Sequence, residues 1–107
     1  MAKLRQGEIW WANLPAPAGR RPVLLLTRTD AVEHMANVTV APLTRTIRDI
    51  ESEVVLSTQH GVPSLCAISL DNIVTIPKKM LDRRIVALGR EAMEGVFDAV
   101  RFVFAMA

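Results

Sequence analysis

Short apolar segments alternate with polar turns along most of the chain, up to about residue 88. The segments are rich in β-branched and aromatic residues, and proline and glycine separate them, which is typical of short strands. The pattern predicts strands at residues 8–14, 23–27, 37–43, 53–56, 66–76 and 84–88. The fifth is predicted to be long or bent, with its bend at Asp71-Asn72, and residues 30–36 and 77–81 are predicted to form turns or short helices.

The periodicity changes after Gly89. Apolar residues then recur at steps of three and four with charged residues opposite them, which predicts an amphipathic helix of roughly four turns. The apolar stripe comprises Met93, Val96, Phe97, Val100, Val103 and Phe104. Phe102 falls outside this stripe, so it is a candidate for contact with a partner.

Five or six short strands followed by one helix predict an α+β fold that is mainly β. A small, strongly bent antiparallel sheet or SH3-like barrel, packed on the carboxyl-terminal amphipathic helix, satisfies this order of elements. The length of 107 residues predicts a single domain over residues 1–107, and a hydrophobic fraction of 50% excludes disorder. Dimerisation is a common way for so small a domain to cover further apolar surface.

Three positions in the predicted strands carry specific expectations. Trp10 and Trp11 alternate to opposite faces, so one can enter a core while the other needs a lid or a partner, unless a barrel covers both. Pro42 lacks an N–H group and predicts an edge strand or a bulge.

The charge of the chain is only mildly basic, at +2, and does not by itself indicate a nucleic-acid partner. Ten of the thirteen basic residues are Arg, whose planar fork suits phosphate oxygens, although a solvated Arg-rich surface would give the same composition. The amino terminus lacks the apolar stretch of a signal peptide, and no run approaches the ~18 apolar residues of a membrane span. We therefore expect a soluble, cytoplasmic protein that does not contact a membrane.

Several classes of chemistry find no support in the sequence. Cys66 is the single cysteine and lies in an apolar run, so it predicts neither a disulfide nor a thiolate zinc site. His34 and His60 are isolated and lack metal-ligand spacing, so we expect exposed, chemically idle side chains, no metal and no cofactor. Gly-rich phosphate loops and nucleophile elbows are also missing from the sequence.

Two strand ends carry candidate functional groups. Pro22 restricts Arg21 to extended conformations, which fixes where its guanidinium begins, and Thr44 closes the third strand with a hydroxyl. Strand ends on a rigid scaffold position functional groups well. The alternative is structural, because Arg often flanks a strand and Thr often ends one.

Five segments in order resemble the MazF/PemK toxins of type II toxin–antitoxin systems. They are residues 6–14, 20–27, 40–44, 71–76 and 83–89 with the helix that follows. The chain departs from the family pattern in its short loop before Arg20, in Gln6 where Arg is common, and in Asp71-Asn72 where Glu-Gln is usual. These departures bear on substrate sequence more than on reaction class.

The resemblance implies an activity and its residues. In that family, the Arg before the second-strand Pro and the Thr that closes the third strand carry RNA cleavage, and they map to Arg21 and Thr44. The implied activity is that of a metal-independent endoribonuclease, an mRNA interferase. It would cleave single-stranded RNA through the 2′-hydroxyl and leave 2′,3′-cyclic phosphate and 5′-hydroxyl ends. The implied partners are a second copy of the chain and a MazE-like antitoxin with a disordered inhibitory tail.

Loops and strand ends carry further cations that could bind the RNA backbone. These candidates are Arg20, Arg28, Arg45, Arg48, Lys78 and Lys79. The sequence does not identify the general base or acid. Two alternatives stay open: a CcdB-like toxin that binds gyrase and has no nuclease activity, and a non-catalytic small barrel that binds nucleic acid.

Overall fold

Seven strands and a carboxyl-terminal helix form the fold in a computed structural model that describes residues 3–107. Met1 and Ala2, which begin the segment analysed for a signal peptide, lie outside the described residues. The strands are β1 (Glu8–Asn13), β2 (Arg20–Leu25), β3 (Asn37–Thr44), β4 (Glu53–Leu56), β5 (Cys66–Ser69), β6 (Val74–Pro77) and β7 (Leu81–Ala87). The α-helices are α1 (Thr29–Val32) and α2 (Arg90–Val103), and short 3₁₀ turns lie at Thr58–His60, Leu70–Asn72 and Lys78–Met80.

All strand pairings are antiparallel, in the order β4-β5-β3-β2-β1-β7, with β6 also paired to β3. Among the described residues this order is an open path that ends at β4 and β7, so the sheet does not close into a barrel. Two register irregularities along the β1–β7 pairing add local twist to this end of the sheet. The predicted α+β class with an antiparallel sheet and a terminal helix is confirmed.

The strand predicted at residues 66–76 is two strands. The 3₁₀ turn at Leu70–Asn72 contains the predicted bend and separates β5 from β6. The two halves pair with different parts of β3, since β6 lies along Asn37–Val40 and β5 along Leu43–Thr44. Seven strands therefore replace the expected five or six.

Pro42 lies in a central strand, so the prediction of an edge position or a bulge is wrong. β2 pairs regularly with this part of β3 on one side, where Pro42 faces Val23. On the other side neither the β6 register nor the β5 register includes Pro42. A residue without an N–H group is therefore tolerated in the gap between two neighbouring strands.

The last strand, β7, begins at Leu81, three residues before the predicted start at Arg84. After the buried Leu81, residues 82–84 of β7 are charged and exposed, so this part of the sequence lacks the apolar signal of a strand. Charged side chains on an edge strand also discourage pairing with another molecule. One of them, Arg84, donates through Nε to Oε2 of the buried Glu8 at 3.1 Å.

Two apolar clusters cover opposite faces of the sheet. On one face Ile9, Leu24 and Ile68 pack with Val96 and Ala99 of α2. On the other face lie Trp10, Val23, Leu25, Val38 and Val40, together with Val32 of α1. Residues 23–25 alternate between the clusters because successive strand residues point to opposite faces.

The two tryptophans follow this alternation. Trp10 is 4% exposed, whereas Trp11 is partly exposed, so the prediction of opposite faces is confirmed. The amphipathic helix is confirmed over Arg90–Val103, where Val96 and Ala99 are buried and Phe102 is 55% exposed. Two residues of the predicted apolar stripe are nevertheless exposed, Phe97 at 37% and Phe104, which follows the helix, at 58%. In the part of the chain that is described, no helix combines the length and apolar character needed to cross a bilayer.

Candidate active site

The ends of β2 and β3 bring Arg21 and Thr44 to the same place. Val23 of β2 is paired with Pro42 of β3. In this antiparallel register, each step back along β2 corresponds to one step forward along β3. Continued for two residues, it sets Arg21 opposite Thr44, and both positions still belong to their strands. Directly opposed residues of antiparallel strands have Cβ atoms about 4.5–5.5 Å apart and side chains on one face.

Two clefts meet at these strand ends. The larger cleft, of about 440 Å³, is lined by Trp11, Arg20, Pro22, Leu43, Arg45, Pro63, Ser64 and Cys66. The smaller cleft, of about 170 Å³, is lined by Pro42, Arg48, Glu53, Ser69 and Asn72. Arg21, Thr44 and Thr46 line both clefts, and we call these three residues the ridge.

The clefts open on opposite sides of the sheet end. On β3, Leu43 lines the larger cleft and the preceding Pro42 lines the smaller one. Neighbouring strand residues face opposite sides of the sheet, so the two clefts lie on opposite sides and meet at the ridge. A chain molecule that occupies both clefts must cross Arg21 and Thr44.

The Arg21 guanidinium is anchored at one nitrogen. Its Nε donates to the carbonyl oxygen of Ala18 at 3.3 Å. Within residues 3–107 its two terminal nitrogens form no hydrogen bond or ion pair. A guanidinium held in this way presents a charged, two-pronged donor, which matches two oxygens of one phosphate.

The Thr44 hydroxyl is oriented by its own strand end. Its Oγ1 accepts a hydrogen bond from the backbone N–H of Thr46 at 3.1 Å. A hydroxyl carries one donor and two acceptor sites, so this bond leaves the O–H free to donate. Thr44 can therefore donate a hydrogen bond to an anionic group that lies beside the Arg21 guanidinium.

Arg20 is held more tightly than its neighbour Arg21. Its Nη1 donates to Asn13 Oδ1 at 3.1 Å and forms an ion pair with Asp82. Its guanidinium carbon also lies 4.9 Å from the centre of the Trp11 ring. Arg20 thus forms a fixed wall of the larger cleft, and the Trp11 ring supports it.

The other predicted RNA-binding cations separate into two sets. Arg45 lines the larger cleft and Arg48 the smaller one. Arg28, Lys78 and Lys79 line neither. Arg28 is paired with Asp30 at 3.3 Å, and Lys78 Nζ donates to the Val32 carbonyl at 2.9 Å, so both serve local structure.

The histidines and the cysteine contribute no reactive group to these clefts. His34 is exposed and lines neither cleft, and His60 Nδ1 accepts the Ser57 N–H at 3.0 Å within a turn. Burial raises the pKa of the Cys66 thiol, which keeps it protonated and a poor nucleophile. Among the described residues, His, Cys, Asp and Glu side chains form no group of three that could hold a metal ion.

The sequence analysis did not single out several residues that line the clefts. The polar ones are Glu53 and Ser69 in the smaller cleft, Ser64 in the larger cleft and Thr46 on the ridge. Asn72, which the sequence analysis named only at the predicted bend and as a departure from the family pattern, also lines the smaller cleft. Asn72 falls in a segment that carries the family resemblance, but no local pattern shows that Glu53 and Ser69 pair across β4 and β5. That placement depends on the register of the folded sheet.

Comparison with known proteins agrees with the fold and with the predicted resemblance. A family model for the PemK-like, MazF-like toxin of type II toxin–antitoxin system matches residues 5–104. A probable endoribonuclease MazF2 from Mycobacterium tuberculosis is 43% identical over 92% of this chain and 95% of its own length. A solved structure of the Mycobacterium tuberculosis toxin MazF-mt6 has a TM-score of 0.86 at 35% identity and covers 94% of this chain and 98% of the toxin.

For more distant structures, the likeness shows a common fold and nothing further. A MazE–MazF structure from Deinococcus radiodurans has a TM-score of 0.81 at 17% identity, with all of both chains covered. The family model spans nearly the whole chain, and the Mycobacterium relative exceeds 40% identity over nearly its full length. The predicted family resemblance is confirmed: the chain belongs to the PemK-like, MazF-like toxins of type II toxin–antitoxin systems.

Proposed function

We propose that this member of an endoribonuclease toxin family cuts single-stranded RNA at the ridge, with Arg21 and Thr44 as its catalytic residues. The observation that carries the proposal is that both residues line both clefts. Two consecutive nucleotides can occupy one cleft each, and the phosphodiester that joins them then lies against the Arg21 guanidinium and the Thr44 hydroxyl.

The nucleophile in this reaction belongs to the substrate. The ribose 2′-hydroxyl attacks the adjacent phosphorus, which yields a 2′,3′-cyclic phosphate on one fragment and a 5′-hydroxyl on the other. The protein must hold the phosphate in line and stabilise the negative charge that develops on its non-bridging oxygens. Arg21 supplies the charge through its terminal N–H groups, and Thr44 supplies a further hydrogen bond that orients the phosphate.

Single-stranded RNA suits the shape of the site. The clefts open on opposite sides of the sheet end, so the backbone turns as it crosses the ridge and successive bases separate. Unpaired strands adopt such a path, whereas a duplex would have to break base pairs. Arg45 and Arg48 lie in the two clefts, where they can contact phosphates on either side of the cut.

Two partners follow from the family. The Deinococcus structure contains MazE together with MazF. We propose that a MazE-like antitoxin with a disordered tail blocks the clefts of this chain. We also propose a homodimer, because Phe102, Phe104 and Met106 are each more than half exposed near the carboxyl terminus. A cytoplasmic location accords with an RNA substrate.

Digestion of a long RNA in the presence of a chelator tests the reaction. We expect discrete fragments with 2′,3′-cyclic phosphate and 5′-hydroxyl ends, and no loss of activity on metal removal. Fragments with 5′-phosphate ends, or cleavage that depends on added metal, would contradict the proposed chemistry. RNA left intact by the purified protein would instead favour a gyrase-binding toxin or a non-catalytic binding module.

A further inference from the structure

The proposed reaction needs a group that takes the proton of the 2′-hydroxyl. Arg21 is a poor base, because a guanidinium keeps its proton and has no acceptor site, and the Thr44 hydroxyl is no better. We propose that Glu53 is the general base of this reaction. The inference rests on the proposed function and adds the direction in which the RNA lies across the ridge.

Glu53 is placed in the smaller cleft by the pairing of three strands. It is the first residue of β4, where it pairs with Ser69 of β5, while Thr44 of β3 pairs with Ala67 of β5. Paired residues point to the same face, and Ala67 and Ser69 are two positions apart on one strand. Thr44 and Glu53 therefore face the same side of the sheet, on the two strands that flank β5.

The side chains between them are small. Ala67 and Ser69 are the β5 residues on this face, so they leave a depression with Thr44 on one side and Glu53 on the other. The smaller cleft, with Ser69 among its lining residues, occupies this part of the surface. Its volume of about 170 Å³ and its polar lining suit a ribose better than a large apolar group.

The Glu53 carboxylate is positioned at one oxygen. Its Oε1 accepts the backbone N–H of Arg48 at 2.9 Å, which fixes the side chain against the connector before β4. Within residues 3–107, Oε2 forms no hydrogen bond and no ion pair. A carboxylate with one oxygen held and the other open has the geometry of a general base.

No other described residue of the two clefts fits this role. Glu53 is the single carboxylate among the residues that line them, and neither histidine is present there. The charged groups that share the smaller cleft are Arg21 from β2 and Arg48 from the connector, with the neutral Ser69 and Asn72 beside them. Cys66 lines the larger cleft only, and burial raises the pKa of its thiol, which disfavours the thiolate.

The step balances without consuming water, which only carries protons. Glu53 takes the proton from the 2′-hydroxyl as its oxygen forms a bond to phosphorus, and the bond from phosphorus to the 5′-oxygen breaks. A proton from solvent completes the 5′-hydroxyl, and the Glu53 carboxyl later returns its proton to solvent. The attacking ribose belongs to the nucleotide on the 5′ side of the cut, so that nucleotide occupies the smaller cleft and its 3′ neighbour the larger one.

Comparison of Glu53→Gln with Glu51→Gln tests the assignment. Both changes remove one charge, but the amide oxygen introduced by Glu53→Gln can still accept from the Arg48 N–H, and the exposed Glu51 lines neither cleft. We expect Glu53→Gln to lower kcat by about 10²–10⁴-fold with KM little changed, as for loss of a general base. Glu51→Gln should cleave at the wild-type rate.

The pH profile separates a catalytic role from a structural one. In the wild type, kcat/KM should fall on the acid side as the carboxylate gains a proton, and this limb should vanish in Glu53→Gln. Glu53→Asp keeps a carboxylate and should retain the limb at a reduced rate. An unchanged acid limb in Glu53→Gln would overturn the inference.

An RNA with sulfur in place of the bridging 5′-oxygen distinguishes base from acid. A thiolate leaves without protonation, so a variant that lacks only the acid would recover its rate on this substrate. We expect Glu53→Gln to stay slow, because the 2′-hydroxyl still has to lose its proton. Recovery would make Glu53 the acid and contradict the inference.

The inference and the proposed function can fail separately. If Arg21→Ala abolishes cleavage while Glu53→Gln cleaves at the wild-type rate, the ridge remains the active site and the assignment of Glu53 is wrong. If the wild-type protein leaves RNA intact, the proposed function itself is wrong and the inference falls with it.

Discussion

The basic residues at the two ends of the sheet differ in whether their side chains are bonded within the protein. At the end of β2 and β3, Arg21, Arg45 and Arg48 line clefts, and their guanidinium groups form no ion pair among the described residues. Near α1 and the turn before β7, Arg28 is paired with Asp30 and Lys78 is bonded to the Val32 carbonyl. The sequence shows the same charges in both regions, and only the fold shows which of them are free to bind an anion.

Arg20 has one property of each set. It lines the larger cleft, yet Asn13, Asp82 and the Trp11 ring all hold its guanidinium. Its neighbour Arg21, one residue later in the same strand, is held only through Nε. Adjacent arginines can therefore differ in role because they point to opposite sides of one strand.

The sharpest contrast between the regions is expected from Arg21→Ala. Loss of the guanidinium removes the main stabilisation of the phosphate charge, so we expect kcat to fall by about 10²–10³-fold or more. The fold should survive, because the side chain makes a single hydrogen bond, to Ala18. Single-turnover cleavage rates measure the effect, and Arg28→Ala, which removes the same charge outside the clefts, should cleave normally.

Thr44→Val should have the next largest effect. The change removes the hydroxyl that donates to the phosphate, and loss of a hydrogen bond to a charged group costs about 1.5–3 kcal/mol, or roughly 10–10²-fold in rate. Thr44→Ser keeps the hydroxyl and should retain most activity. Equal rates for the Val and Ser variants would show that the hydroxyl takes no part.

Removal of the cations beside the ridge should have a smaller effect, and it should lower RNA affinity. Removing one cation that binds a phosphate of a single strand lowers the salt dependence of log K by about 0.7. The double variant Arg45→Ala/Arg48→Ala removes two such cations and should lower the slope by about 1.4 for a non-cleavable RNA with 2′-deoxyribose at the cut. Arg28→Ala/Lys79→Ala removes the same charge away from the clefts and should bind with the wild-type slope.

The smallest change is expected from Lys78→Met, and it should affect stability rather than activity. The variant loses the hydrogen bond to the Val32 carbonyl, which contributes about 0.5–1.5 kcal/mol to the free energy of unfolding. Lys79→Met, at an exposed neighbouring position, should leave the unfolding midpoint unchanged. Reduced RNA cleavage by Lys78→Met would place this lysine in the substrate path and weaken the contrast between the regions.

The sequence predicts the elements of the fold better than their pairing. Periodicity locates the terminal helix and the strands, and Pro22 and Thr44 mark the two strand ends that meet. It does not reveal that β5 and β6 share β3 as a neighbour, nor that Pro42 lies in the gap between them, because both depend on contacts distant in the chain. The predicted start of β7 at Arg84 is late because the charged residues before it give no apolar signal.

The sequence predicts the candidate site only in part, because contacts between residues distant in the chain also decide which side chains reach the clefts. Local pattern and family resemblance identify Arg21 and Thr44, and the β2–β3 register brings them to one ridge. Glu53 enters the smaller cleft through strand pairing, which sequence spacing does not encode. Alternation predicts that one of the two tryptophans leaves the core, but not that Trp11 lies beside the Arg20 guanidinium. Half of the predicted cation set lies elsewhere, since charge alone does not specify position.

A double-mutant cycle of Arg21→Ala and Thr44→Val, measured as single-turnover cleavage of one RNA, tests most directly whether the two side chains hold the same phosphate. If they do, the losses are not additive, and the double variant cleaves little more slowly than Arg21→Ala alone. Losses that simply multiply would mean that Arg21 and Thr44 act on separate groups, which would contradict a shared scissile phosphate on the ridge.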